Sequence, residues 1–490
     1  MIKTGVNRRE FLKTISVTTG MMGLVPVLGQ PAGSPTPSEG RKKPNLLYVF
    51  SDMQRAYSLG CYGDRNARTP VLDRFAAQGA RFDAAMSNTP VCCPHRACLM
   101  SGQYAHHHGM VSNGVNFLPK VKCFAETFRS AGYNTAYVGK WHLNFPREGS
   151  DTRRFGFPPE GAKLAHYIVE HKVKPCADKT IEFIKALCAS STPWFCMLSW
   201  LPPHTPYKAS PGYAEHFKNP ALPPNVPAGE PREFAAANLP DYYGMIEEID
   251  MEFGRILAAL DAAGVAEDTI VVFSSDHGDM VGSHGYVHKR WPHEESARVP
   301  LLIRYPKAIK PNTVIRDPIG TPDIYPTLAG LAGVAAPQGL DGLDFSGLIV
   351  GKTPAPRDYV YLQMPYAYVP WPGWRAVRTG DFMYARTVAK PWLLFDMKKD
   401  PWQLKNLVDD PSSQKLVTEM DDRLLAIMKE TGDSWQVKAT TGDLKRWEPG
   451  GSKQHESYLG ITWPGCAVTE AKTKHGKKGR KKAVSSGDDV

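Results

Sequence analysis

The sequence predicts an α/β fold that is followed by a smaller antiparallel sheet. Three short apolar runs, at 45–51, 194–200 and 269–274, have the length and composition of buried strands in an α/β sheet. Helical periodicity lies between them, most clearly over 242–263, where apolar residues recur every three or four positions. From about residue 357 the pattern changes to closely spaced short strands, which indicates a second, antiparallel sheet.

The remaining elements are predicted by the same criteria in chain order. Helices are predicted over 69–79, 94–101, 123–131 and 177–189, and Gly102 is positioned to end the second of them. Further buried strands are predicted before Lys140 and over 299–304, and the Pro-rich stretch 209–232 is predicted to be a surface loop. The C-terminal strands are predicted over 359–363, 374–379, 382–386 and 392–396, with a helix over 413–431.

The charge distribution argues against a nucleic-acid-binding protein. The chain carries 59 Lys and Arg residues against 49 Asp and Glu, a formal net charge of +10. Seven of the basic residues lie within 471–482, and the first 30 residues add a further basic excess. The rest of the chain is therefore close to neutral. The nine cysteines are too few and too irregularly spaced for a disulfide framework or a zinc motif.

Both ends of the chain are predicted to lie outside the folded body. Residues 1–30 contain Arg8-Arg9 followed by Phe-Leu-Lys and a mildly apolar run, which resembles a twin-arginine export signal. This segment predicts a periplasmic or secreted protein, and its apolar run is too short and too polar for a stable membrane span. Residues 31–43 are predicted to be a linker, and the basic segment 446–490 is predicted to be a disordered tail.

Polar side chains follow several of the predicted strands, namely Asp52, Lys140, His142, His204 and Asp276. Because ligands bind at the carboxyl edge of an open α/β sheet, we expect these residues to converge there. The helix near Pro94 adds Cys92 at its N-terminus, where free N–H groups favour a thiolate or an oxyanion, and Arg96 lies within reach of the same end. Carboxylates, cations and a nucleophile together suit the cleavage of an anionic ester.

Two segments carry a family resemblance. Cys92-Cys93-Pro94-His95-Arg96, followed by Ser101-Gly102, resembles the Cys-x-Pro-x-Arg signature of the type I sulfatases, members of the alkaline phosphatase superfamily. The run from Gly132 to His142 resembles the second signature of that family, in the family's order and about forty residues further on. The resemblance covers roughly residues 44–440. It implies a catalytic domain over 44–355, with a large mixed sheet sandwiched between helices, and a small antiparallel-sheet subdomain with a helix over 356–445.

The resemblance also implies the site residues. The catalytic residues that it implies are Cys92, Arg96, Lys140, His142, His204 and Lys289. The metal ligands that it implies are Asp52, Asp276, His277 and residue 92 itself. Cys92 would be oxidised to formylglycine by a formylglycine-generating maturation enzyme, and the implied metal is a divalent ion, Ca²⁺ by the family pattern. The Cys-x-Pro-x-Arg register selects Cys92 for this role, and not Cys93.

Position 53 departs from the family pattern, in which the first Asp is usually followed by a second Asp or a Gln. A Met thioether is too soft for Ca²⁺, and the imidazole of His277 is also an unusual Ca²⁺ ligand. The sequence therefore predicts a site that is poor in ligands and completed by water or Gln54, with reduced selectivity for Ca²⁺. The alternative is that Met53 packs beside an otherwise complete site.

The implied reaction is hydrolysis of a sulfate ester, on a sulfated small molecule or glycan, to an alcohol and inorganic sulfate. Two alternatives remain open. One is a phosphonate monoester or phosphodiester hydrolase of the same superfamily. The other is a catalytically weak protein that binds sulfated glycans, which only Met53 suggests. The aromatic run at 366–375 either lines the mouth of the pocket or packs in the core.

Overall fold

The structure is a computed structural model that describes residues 43–143, 152–158, 163–167, 172–365 and 373–435. The predicted export signal, the linker up to residue 42, residues 366–372 of the aromatic run and the basic tail lie outside the described residues. No helix in the described ranges is long and apolar enough to cross a membrane.

The strands of the described chain are β1 (Asn45–Ser51), β2 (Ala80–Phe82), β3 (Ala85–Met86), β4 (Asn134–Gly139), β5 (Ala165–Tyr167), β6 (Trp194–Ser199), β7 (Thr269–Ser275), β8 (Leu301–Arg304), β9 (Thr313–Ile315), β10 (Ile319–Gly320), β11 (Tyr359–Met364), β12 (Trp374–Thr379), β13 (Phe382–Thr387) and β14 (Pro391–Asp396). The α-helices are α1 (Pro70–Ala77), α2 (Cys92–Ser101), α3 (Ala105–His108), α4 (Phe124–Ser130), α5 (Val173–Leu187), α6 (Glu230–Ala262), α7 (Glu294–Ala297), α8 (Thr321–Ala332), α9 (Ser346–Ile349) and α10 (Gln414–Glu430).

The main sheet has eight strands in the order β5-β4-β6-β1-β7-β8-β2-β9. Strands β4, β6, β1 and β7 are parallel, whereas β8 runs antiparallel to both of its neighbours. Side chains along β1 alternate between two hydrophobic cores: Tyr48 packs with α2 and α8 on one face, and Val49 packs with α5 and α6 on the other. The prediction of a large mixed sheet between helices is therefore confirmed.

A second sheet of four antiparallel strands, in the order β11-β12-β13-β14, forms the C-terminal part of the described chain. Helix α10 packs on one face of this sheet, through residues such as Leu424. The other face packs against Met86, Val91 and Ala297, which lie outside the small sheet. The predicted antiparallel sheet with its helix is confirmed, and apolar contacts join it to the rest of the protein.

The prediction of a surface loop over 209–232 is wrong at its end, because α6 begins at Glu230, twelve residues before the predicted helix start. Pro231 lies in the first turn, where a missing N–H costs nothing, and the buried Ala235 and Leu239 continue the apolar face. Pro240 lies inside the helix, so two prolines obscured the periodicity of its first half. Helix α2 also begins earlier than predicted, at Cys92.

Candidate active site

The parallel strands of the main sheet deliver polar residues to one edge. Asp52 follows β1, Lys140 follows β4 and Asp276 follows β7 directly. Helix α2 adds Cys92 as its first residue, and Gly102 ends this helix in the left-handed conformation at φ 64°. The structure therefore brings together the strand-end residues and the helix N-terminus as the sequence predicted.

A buried ion-pair network supports the centre of this edge. Arg96 places Nη2 3.1 Å from Asp52 Oδ2 and 3.1 Å from Asp276 Oδ2, and Lys140 Nζ lies 2.8 Å from the same Asp52 oxygen. Arg96 Nη1 also donates to Ser199 Oγ at 2.7 Å and to the Lys140 carbonyl at 2.8 Å. One oxygen of each carboxylate is thus occupied by cations, and the Oδ1 atoms are left on the side of Cys92.

The Cys92 thiol lies at the meeting point of these groups. Its Sγ is 3.0 Å from Lys289 Nζ, 3.2 Å from His277 Nε2 and 3.6 Å from Asp52 Oδ1. Burial opposes ionisation, but the charges of Lys140, Lys289 and His277 outweigh it and hold the pKa of Cys92 well below its usual value. Whatever atom occupies this position is in an environment that stabilises negative charge.

Two histidines and a lysine complete the side of the site that faces Cys92. His204 accepts from Lys289 Nζ at Nε2, 3.1 Å away, because its Nδ1 donates to the Thr205 carbonyl at 2.7 Å. His142 and His204 both interact with the Cys92 thiol, and this interaction favours their protonated forms. Burial and the neighbouring Lys140 lower the pKa of His142 to about 4, so this imidazole is neutral at pH 7 and able to accept a proton.

Asp52, Cys92, Asp276 and His277 form a group whose ligand atoms all lie within 4.8 Å of one another, and all four residues are buried. Burial and the adjacent negative charge of Asp52 raise the pKa of Asp276 to about 7. A cation that binds between two carboxylates this close together in a buried site reduces the repulsion between their negative charges. The donor set therefore fits a divalent cation.

Met53 and Gln54 do not join this group. Met53 is buried with φ 67°, its Sδ lies 3.6 Å from Lys289 Nζ, and its backbone N–H donates to Asp276 Oδ1 at 3.2 Å. Gln54 Oε1 accepts from Ser51 Oγ at 2.7 Å. Because Ser51 holds its carbonyl oxygen, Gln54 does not lie in the group in this structure, and completion of the cation site by water or Gln54 stays a prediction.

Other residues that shape the site were not predicted from the sequence. Ser199, which holds Arg96, is the last residue of β6, so the strand-end rule that selected Asp52 would also have found it. Tyr207 donates to the buried Asp279 at 2.6 Å and ties the loop of His204 to the segment that leads to Lys289. The contact between Tyr207 and Asp279 could not be predicted from a local sequence pattern, because the two residues are 72 positions apart.

Comparisons with known proteins agree with this geometry. The family model described as Sulfatase matches residues 44–334, and that described as N-sulphoglucosamine sulphohydrolase, C-terminal, matches residues 282–430. A relative named ulvan-active sulfatase from Formosa agariphila is 37% identical, covering 81% of this chain and 83% of its own. The N-acetylglucosamine-6-O-sulfatase of Bacteroides thetaiotaomicron is 25% identical, covering 81% and 88% respectively.

A solved structure has the same fold. The yidJ protein of Bacteroides fragilis, which is assigned to the sulfatases, aligns with a TM-score of 0.73 at 27% sequence identity. The alignment covers 82% of this chain and 98% of that structure. The shared fold therefore includes both the main sheet and the C-terminal sheet.

Proposed function

This chain belongs to the sulfatase family and is a sulfuric ester hydrolase, and from that premise we propose that it cleaves a sulfated carbohydrate through a formylglycine at position 92. The names of two relatives support a sulfated carbohydrate as the substrate. One relative is named ulvan-active sulfatase, and the other is named N-acetylglucosamine-6-O-sulfatase. The products are the carbohydrate alcohol and inorganic sulfate.

The observation that carries this proposal is the environment of Cys92. Its Sγ stands where a hydroxyl oxygen of hydrated formylglycine would stand after oxidation. Lys289 Nζ at 3.0 Å and Lys140 Nζ at 3.9 Å supply positive charge to that position. The N-terminus of α2 adds its own partial positive charge. A nucleophilic oxygen and an anionic sulfate group would both be stabilised here.

The proposed reaction has two steps. Lys289 and His204 bind the sulfuryl oxygens, and one formylglycine hydroxyl loses its proton to His204 and forms a bond to sulfur while the bond between sulfur and the carbohydrate oxygen breaks. The departing alkoxide takes a proton from the Lys289–His204 pair. His142 then removes the proton of the second hydroxyl, the aldehyde C=O forms again, and the bond from this carbon to the sulfate oxygen breaks. Addition of water restores the hydrate, and Arg96 and Lys140 hold the residue throughout.

A divalent cation is part of the proposal. Asp52, Asp276, His277 and residue 92 would hold it, and when bound it would lower the pKa of the formylglycine hydroxyl and offset the negative charge of the sulfate.

We propose that the protein is exported in a folded state through its Arg8-Arg9 signal, which is compatible with oxidation of Cys92 in the cytoplasm by the maturation enzyme. Replacing both arginines by lysine should trap the full-length precursor inside the cell, as measured by fractionation and immunoblotting. Unchanged export of the double variant would contradict the proposed route.

The function is tested by measuring sulfate release from a panel of sulfated monosaccharides and disaccharides with protein produced alongside a maturation enzyme. Cys92→Ala is the matched control. The turnover rates of the sulfate, the phosphonate monoester and the phosphodiester of one phenol are then compared. This comparison distinguishes a sulfatase from the phosphorus-ester hydrolases of the same superfamily. We expect sulfate release from at least one carbohydrate, and faster turnover of the phenyl sulfate than of the phosphorus esters. The reverse order of rates would favour the phosphonate monoester or phosphodiester hydrolase.

A further inference from the structure

We infer that the cation site of this protein is built for a first-row transition ion of the series from Mn²⁺ to Zn²⁺, and not for Ca²⁺. The inference rests on the proposed function in one respect, namely that the group formed by Asp52, Cys92, Asp276 and His277 holds a cation. It concerns the number and chemical type of the donor atoms that these residues present.

The two carboxylates present few oxygens. Asp52 Oδ2 is engaged by Arg96 at 3.1 Å and by Lys140 at 2.8 Å, and Asp276 Oδ2 is engaged by Arg96 at 3.1 Å. Only Oδ1 of each carboxylate faces the rest of the group. Bidentate binding by Asp52 would have to displace Arg96 or Lys140 from its Oδ2, which is strongly unfavourable in a buried ion pair, and bidentate binding by Asp276 would have to share Oδ2 with Arg96. The two acidic residues therefore contribute about one oxygen each.

The third donor is a nitrogen, and its orientation is fixed. His277 Nδ1 donates to the Gly278 carbonyl at 2.9 Å, so Nε2 is the nitrogen that is left to bind a cation. Nε2 lies 3.5 Å from Asp276 Oδ1 and 3.8 Å from Asp52 Oδ1. This backbone contact holds the histidine in the form that ligates transition ions.

Neighbouring residues do not add the missing oxygens. The side chain of Met53 lies against Lys289, and the side-chain oxygen of Gln54 accepts from Ser51. Among the described residues, no other Asp, Glu, His or Cys belongs to the group. Ca²⁺ takes six to eight oxygen ligands, whereas two oxygens, one imidazole and a hydroxyl at residue 92 suit a smaller ion that accepts nitrogen.

The test measures metal binding without turnover, in a Cys92→Ser background. Serine presents an oxygen at residue 92, so a thiolate cannot create the preference for a softer ion. Metal-free protein is titrated with Zn²⁺, Mn²⁺ and Ca²⁺ by calorimetry. We expect Zn²⁺ and Mn²⁺ to bind at least tenfold more tightly than Ca²⁺. The pulsed electron paramagnetic resonance spectrum of bound Mn²⁺ should show coupling to a ¹⁴N nucleus from His277.

Two variants test whether His277, and not Met53, sets the preference of the site for one ion over another. His277→Asp replaces the nitrogen with oxygen, and we expect it to shift the ratio of affinities at least tenfold toward Ca²⁺ and to abolish the ¹⁴N coupling. Met53→Leu is the matched control, which removes the thioether at similar volume and should leave the affinity ratio unchanged. Circular dichroism of each metal-free variant shows whether it is folded.

The inference is overturned if the Cys92→Ser protein binds Ca²⁺ as tightly as Mn²⁺ and Zn²⁺, or if bound Mn²⁺ shows no ¹⁴N coupling. A changed ratio in Met53→Leu would overturn it as well, because it would make the thioether a ligand. These outcomes are distinct from failure of the proposed function, since equal affinity for Ca²⁺ would contradict this inference while sulfate release by the formylglycine protein would still sustain that function.

Discussion

Cys92 and Cys93 are neighbours in the chain but lie in opposite environments. Cys92 faces the charged group at the sheet edge, whereas Cys93 packs in the hydrophobic core beside the main sheet. Burial and the adjacent Cys92 raise the pKa of Cys93 to about 12, so this thiol stays protonated and unreactive. The first residues of α2 thus place one cysteine in the charged group and the next in the hydrophobic core.

We therefore predict opposite effects of two alanine substitutions. Cys92→Ala should lower sulfate release by at least roughly 10³-fold, because it removes the nucleophile. Cys93→Ala should keep turnover and should only lower stability, by about 1–2 kcal/mol for a small buried side chain. Peptide mass spectrometry of the active protein should find sulfur lost and oxygen gained at position 92. Conversion at Cys93 with Cys92 intact would contradict the assignment.

Lys289 is held by a backbone of unusual conformation. His288 and Arg290, on either side of it, have φ values of 60° and 84°, which cost roughly 1–3 kcal/mol each for residues other than glycine. Such a conformation persists only where the surrounding structure fixes it. The strain is consistent with a need to place Nζ next to Cys92.

We predict that Lys289→Met lowers kcat/KM for a sulfated substrate by about 10²–10³-fold, because the sulfuryl oxygens lose a preorganised cation. The exposed Lys208, on the loop that follows His204, offers a control, and Lys208→Met should change kcat/KM much less. Equal losses in the two variants would show that general positive charge, and not the position of Lys289, matters.

Site residues that directly follow a buried strand could be predicted from the sequence. Site residues at sharp turns of the backbone could not. Asp52 and Asp276 were predicted because parallel strands end at a common edge. Met53 could not be placed, because a residue at φ 67° does not follow the alternation of a strand. Its contact with Lys289 depends on a residue 236 positions away, and no local pattern contains that information.

At the scale of elements, the long helix α6 holds the start of α1. Asp250 is buried, and its two carboxylate oxygens accept from Val71 N at 3.1 Å and Leu72 N at 2.7 Å. Thr69 precedes α1 and provides no side-chain cap for these groups. Asp250 therefore caps, from another helix, two N–H groups that have no partner within α1.

We predict that Asp250→Ala lowers the free energy of unfolding by about 1–3 kcal/mol, because two buried N–H groups lose their acceptor. Asp261→Ala, an exposed site on the same helix, is the control and should stay within about 0.5 kcal/mol of the parent. Urea unfolding followed by circular dichroism measures both. A small effect of Asp250→Ala would indicate that water replaces the carboxylate.

The elements that were predicted from apolar periodicity have the predicted type, whereas helix α8 was not predicted and the start of α6 was placed too late. Strands β1, β7 and β12 begin at the predicted residues, since buried runs have clear ends. The first half of α6 was missed because prolines at 231 and 240 resemble loop punctuation. Only the packing of Ala235 and Leu239 in the core reveals that this segment is helical.

At the scale of the whole molecule, the C-terminal sheet belongs to the same hydrophobic body as the main sheet. Trp374 and Phe395 of the small sheet share a core with Met86 and Val91. A buried ion pair between Arg378 Nε and Glu294 Oε1 at 2.8 Å adds a polar link. The order of the strands in the main sheet was not predictable, because long-range pairing sets it.

We predict that a chain ending at residue 355 does not fold cooperatively, because it exposes the apolar residues that the small sheet covers. Size-exclusion chromatography should show aggregates, and thermal unfolding should lack a sharp transition. A soluble monomer with a cooperative transition would establish that residues 44–355 fold as an independent domain.

We propose above that an oxygen nucleophile at residue 92 attacks sulfur. The fate of ¹⁸O during turnover of a sulfated monosaccharide in labelled water tests this most directly. We expect mass spectrometry to find ¹⁸O in the released sulfate and none in the hydroxyl that carried the sulfate group, and we expect Cys92→Ala to release no labelled sulfate above background. Label in the sugar hydroxyl, or equal labelled sulfate from the Cys92→Ala protein, would contradict it.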